Sequence, residues 1–352
     1  MSQVSCARPA DDHELALLCG SNFASSIEDI TWLSYHVQHV KLILAARAVH
    51  VAFGNKCAQV LSVSGQDNFH GNTQSLEALA GFLVRTLPCL RTWVRGIPDE
   101  LKTERRDGGK PFSTDRSVVQ VDLEAPQWLQ RQRLLLELTY HHLMMNLYRP
   151  FITFARAPSS STPLANSNSI SCVNHAIAST NIILQILKSA DVLNGWHEAY
   201  HFQWSAALTM VGFIFANPVC SSTPTARRTI NSAIEVFDIF RSNFAIAASA
   251  ANITRDLALK VDYFLDHVRT GSASAHHNSA LNPASLPTMS MFQSFSNDNT
   301  IDGNSSINSP PLDPEDDSAK NQTMFPGAMG GSFPVGPFND AEWPFLDDLS
   351  EC

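Results

Sequence analysis

One run limits the possible folds more than any other: Leu134-Leu-Leu-Glu-Leu-Thr-Tyr140-His-His-Leu-Met-Met-Asn-Leu-Tyr-Arg149-Pro150-Phe151. Leu136, Tyr140, Leu143 and Leu147 recur at the spacing of one helical face. Leu134, Leu138, Met144, Met145 and Tyr148 cover much of the remaining circumference, so a helix here needs neighbours on several sides. Pro150 has no N–H to donate and crowds the turn before it, so the helix must stop there. That leaves Arg149 at the C-terminal end, where a cation meets the negative pole of the helix dipole and can cap the helix or form a local salt bridge, the alternative being the cation of a ligand pocket.

Further helices are legible on either side. Ser25-Ser26-Ile27-Glu28 offers a capping box. The long helix after it carries Leu33, Val37, Val40 and Leu44 on one face and is expected to end near Gly54-Asn55. Leu76, Leu79, Leu83, Leu87 and Leu90 mark a second segment, kinked at Pro88, that leads into Trp93-Val-Arg-Gly-Ile97-Pro98. Residues 102–124 are charged and contain glycine, and read as an exposed connection, as does the Ser/Pro/Asn-rich stretch 157–169. Ile170–Leu187, Trp196–Phe215, the segment opened by Thr223-Pro224, and the stripe Leu257, Val261, Phe264 and Val268 give four more helices. No segment alternates with period two. The fold class is therefore all-α, with an irregular multi-helix region over 26–268, a ragged segment at 1–25 and a tail at 269–352.

Charge separates these regions. The chain carries −9, and from residue 270 onward eleven Asp and Glu face Lys320 alone. The remainder is close to neutral, which is not the footprint of a nucleic-acid-binding domain. The tail is rich in Ser, Asn, Pro and Gly, a composition that cannot bury enough apolar surface to offset the entropy of ordering it, so it reads as disordered. Within 338–351, acidic residues interleave with Trp343, Phe345, Leu346 and Leu349, the pattern of a segment that orders when a coactivator groove buries its apolar side chains. Seven scattered cysteines with no C-x-x-C pair support neither a disulfide framework nor a cysteine zinc cluster. There is no signal peptide, and the apolar run at 206–217 is too short to span a bilayer.

The motifs already quoted carry a resemblance. A Leu-rich lead-in, Tyr140-His141, an apolar turn and Arg149-Pro150-Phe151 resemble the signature helix of the fungal-specific transcription factor domain, the all-α middle homology region of zinc binuclear cluster regulators. The Trp93…Ile97-Pro98 segment and the helix opening at Cys172 are similar to that family in order and spacing. The resemblance implies a nuclear regulator of RNA polymerase II transcription, with a helical domain that inhibits or senses a small-molecule effector. It gives Tyr140 and His141 a structural role. The family's zinc cluster, linker and coiled coil are not in this sequence, so the expectation is no cofactor here and DNA contact only indirectly or through another segment. A homo- or heterodimer, including one that titrates out a full-length regulator, follows from the same resemblance.

One motif points elsewhere. His197-Glu198-Ala-Tyr-His201 is a literal H-E-x-x-H, which on a helix puts two imidazoles on one face for zinc and a base beside them. The continuation needed for a third ligand is missing, with Trp204 and Ala207 where Gly and His would stand. A zinc-dependent hydrolase is therefore the alternative expectation. No phosphate-binding loop or nucleophile elbow is present; Gly108-Gly109-Lys110 lacks the flanking residues of the former.

Overall fold

The computed structural model describes residues 32–65, 68–122, 124–154 and 162–277. Eight helices make up nearly all of it: α1 (Trp32–Ser64), α2 (Thr73–Thr86), α3 (Pro88–Arg95), α4 (Gln127–Tyr148), α5 (Pro163–Ser189), α6 (His197–Ala216), α7 (Thr223–Phe240) and α8 (Ala245–His277). The ragged start, the capping box and the acidic-aromatic segment all lie outside the described residues.

Helix α5 is central, packed against α2, α4, α6 and α7. By length and composition it could cross a membrane, but its apolar residues face protein: Cys172, Val173, Ala176, Ile177, Ile183 and Ile186 are all at most 1% exposed. Some polar atoms inside this layer are paired locally, as where Thr180 Oγ1 donates to Ala176 O and accepts from Gln203 Nε2. The first turn of α5 is capped from another helix. The Glu77 carboxylate on α2 accepts from the N–H groups of Leu164 and Ala165 at 2.8 and 3.1 Å, where the helix dipole favours an anion. This places helix at 163–169, where a loop was expected.

Several other expectations need correction. Helix α1 runs past Gly54 to Ser64, because one glycine costs only about 1 kcal/mol and the residues around it are helix-compatible. Its buried stripe is Leu42, Ala46, Val49 and Phe53, on the side opposite the expected face; Val40 and Leu44 are 40% and 57% exposed. Helix α8 begins at Ala245 and continues to His277, well beyond the expected stripe in both directions. Arg227 and Arg255 pair with Asp262 and Asp238, tying α7 to α8. The kink at Pro88 is a true break, since α3 starts there with proline in its first turn.

The connection 102–124 is not simply exposed. Glu104–Arg105 (β1) and Val119–Gln120 (β2) form a two-residue antiparallel ladder, and Thr103, Phe112 and Val119 are buried. Gln185 on α5 holds the ladder, accepting from Val119 N at 3.0 Å and donating to Val119 O at 2.5 Å.

Candidate functional site

Helix α4 brings the sequence motifs together. Tyr140 stacks on Trp93 at 6.0 Å between centroids, and Phe112 meets both rings edge-on at 5.5 and 5.6 Å. Trp93 Nε1 donates to Gln38 O on α1 at 3.1 Å, so its polar edge is satisfied. From α5, Cys172 Sγ donates to Met145 O at 3.2 Å, and His175 stacks on Tyr148. The Trp-Ile-Pro segment, the Tyr-His helix and the Cys-Ala helix thus meet in one core. Burial pushes the Tyr140 hydroxyl up to about 12 and the Cys172 thiol likewise to about 12, so neither ionises near neutrality.

One face of α4 holds a charge inside this core. Glu137 is fully buried and accepts from Thr103 Oγ1, from Arg105 NH2 and from the Phe112 N–H, the last at 2.7 Å. Burial alone would raise its carboxyl; the nearby His141, the Arg105 charge and the Thr103 hydroxyl together hold it below the ordinary carboxylate range. Phe112 sits at φ 58°, a left-handed conformation unfavourable for a side-chain-bearing residue. That conformation aims its N–H at the carboxylate. His141 Nε2 stands 3.7 Å from Glu137, too far for a hydrogen bond, while its Nδ1 is 2.9 Å from His175 Nδ1. One Nδ1 must donate and the other accept. Placing the His141 proton on Nε2, toward the carboxylate, makes His175 the donor. Burial and the neighbouring His141 keep His175 neutral, well below the usual histidine value.

The adjacent face of α4 is built differently. His142, Asn146 and Arg149 follow at i, i+4 and i+7 and face α6. His142 packs on Phe202, and its Nε2 lies 3.0 Å from Asn146 Nδ2. The first expectation for Arg149 was to cap its own helix or find an acid, ahead of serving a ligand pocket. Instead it reaches across to α6, donating through NH2 to Ser205 Oγ at 2.7 Å and Thr209 Oγ1 at 3.0 Å, and makes no ion pair among the described residues. Pro150 does end α4, through a short 3₁₀ turn over Arg149–Phe151.

His197, Glu198 and His201 occupy the exposed first turns of α6, with the two imidazoles stacked at 5.7 Å. Among the described residues no group of three potential metal ligands stands together. Two clefts open at the surface: one of about 710 Å³ bordered by Lys56, Glu77, Arg85 and Leu164, and one of about 370 Å³ between α7 and α8.

Sequence reasoning missed Glu137, Arg105, His175, Ser205 and Thr209. For Glu137 a signal existed, because a lone acid inside Leu-Leu-Leu-Glu-Leu on an all-round apolar helix must be paired.

No family model and no solved structure matches the chain. Among curated proteins it is similar to transcription factor asqA of Emericella nidulans, 37% identical over 257 residues, covering 71% of this chain and 45% of the relative. It is also similar to the terreic acid cluster-specific transcription factor atF of Aspergillus terreus, 37% identical over 259 residues, covering 71% of this chain and 39% of the relative. A more distant likeness, 22% over 194 residues, is to the oosporein cluster regulator OpS3 of Beauveria bassiana, covering 49% of this chain and 26% of the relative. The chain spans less than half the length of each. The first two relatives are named as transcription factors and the third as a cluster regulator.

Proposed function

We propose that this chain is the helical regulatory and activating part of a fungal transcription regulator, acting in the nucleus on RNA polymerase II transcription of a particular gene cluster. The observation that carries this is 37% identity, over 257 and 259 residues, to two proteins named as transcription factors, one of them cluster-specific. The convergence of the three signature motifs on α4 supports it. The helical core restrains or senses, with Tyr140, His141 and Pro150 as packing elements. The acidic segment recruits coactivator through Trp343, Phe345, Leu346 and Leu349. DNA is engaged by residues outside this core or by a partner subunit, and the core holds no cofactor.

The test is a reporter driven by residues 338–351 fused to a heterologous DNA-binding module. The fusion should activate, and changing Trp343, Phe345 and Leu346 together to Ala should remove most of that activity, since such segments bind through a few buried apolar anchors. Equal activation by both fusions would sink the tail assignment.

A further inference from the structure

The seam between α4 and α6 has the parts of an anion site and no anion of its own. Among the described residues Arg149 engages only hydroxyls, through one terminal nitrogen, which leaves the rest of its donor fork without a described partner. Burial and the Arg149 guanidinium together keep His142 below the usual histidine value, so Arg149 is the cation of this seam. Behind Arg149, His142 Nδ1 and Asn146 Oδ1 are buried without hydrogen-bond partners. Turning the Asn146 amide does not help, because His142 Nδ1 and one amide atom stay unpaired either way. Beside these polar groups the rim is apolar. Leu208 on α6 is 43% exposed and Phe154 is 61% exposed, and the Phe154 ring edge lies 4.0 Å from where a Cβ would stand on Gly212.

We propose that Arg149, Ser205, Thr209 and His142 form a binding site for a small organic carboxylate whose apolar body lies against Leu208 and Phe154. A carboxylate matches the planar guanidinium fork, and its second oxygen can take up the unused donors. The apolar rim discriminates against a bare inorganic anion, which would gain the charge and nothing from burial. As an effector site this rests on the regulatory reading above; as a binding site it stands alone.

The experiment uses the purified full chain and titration calorimetry with benzoate as the probe. Benzoate should bind with Kd near 1 mM or tighter, and benzamide, of the same shape without the charge, about tenfold more weakly. Inorganic phosphate should also bind more weakly than benzoate. Arg149→Gln should weaken benzoate about tenfold or more. Ser205→Asp keeps Arg149 and supplies an internal carboxylate, so it should abolish benzoate binding while leaving the thermal midpoint unchanged or raised. The His142 imidazole resonances should move with benzoate and not with benzamide. Benzamide or phosphate binding as tightly as benzoate would overturn the assignment. So would full benzoate affinity in Ser205→Asp, whatever becomes of the Arg149 variant. A chain that takes no benzoate yet still activates a reporter overturns the site and leaves the regulatory reading in place.

Discussion

His141 and His142 are neighbours in sequence and about 100° apart around α4, and they face opposite solutions to the same physical problem. On the His141 side a buried cation meets a buried acid whose two oxygens both accept hydrogen bonds within the core, although Arg105 Nε and His141 Nε2 have no hydrogen-bond partner there. On the His142 side a cation meets two hydroxyls, and polar atoms behind it have no partner. A charge closed by a counter-charge fixes one structure. An open one leaves binding capacity, and the contrast separates the part of α4 that holds the fold from the part available to a ligand.

The largest effect should come from the closed side. Glu137→Ala leaves Arg105 buried without its counter-charge and the Phe112 N–H unpaired, and is expected to cost about 3–5 kcal/mol in chemical denaturation. A loss under about 1 kcal/mol would erase the contrast. Next in size is the response to acid. His175 and His142 are both held neutral in the folded chain, His142 down to about 4. Below about pH 6.5, their ordinary value, the unfolded chain binds more protons than the folded one, so stability falls as pH falls. The slope is up to about 1.4 kcal/mol per pH unit for each. Glu137, depressed below its ordinary value, adds to the loss only at lower pH. Denaturation midpoints between pH 7 and 5 should show this, and His175→Gln should flatten the slope more than His142→Gln, because His175 lies deeper. The smallest effect belongs to Arg149→Met, because Ser205 is half-buried and the buried Thr209 hydroxyl still donates to Ser205 O; it should change stability by about 1 kcal/mol or less. A larger loss would mean the open side carries the fold as well.

How much of this could be read from the sequence depends on the element. Leu76, Leu79, Leu83, Leu87 and Leu90 form a single leucine stripe, and all five are buried as expected. Helix α1 defeated the same reasoning because it carries apolar residues on both sides. Periodicity finds a stripe but does not choose between two, and only the neighbours α2, α3 and α4 select Leu42 over Leu44. The three signature motifs were visible as residues, whereas their meeting around Tyr140 depends on contacts far apart in the chain. Arg149 was seen, but its partners Ser205 and Thr209 lie on another helix and carry no pattern of their own. The short ladder at 104–105 and 119–120 is too brief for any alternation to show.

Glu137 has a consequence for how this region can be recombined. Its three direct donors, Thr103, Arg105 and the backbone of Phe112, come from one ten-residue stretch, while the acid sits on a helix that starts fifteen residues further on. The stretch and the acid therefore form one inheritable unit despite their separation in the chain. A chimera with a relative that exchanges the 103–112 segment without residue 137, or the helix without the segment, would join a charge to the wrong lock. The natural crossover points lie before Thr103 and after Glu137, with both parts moved together.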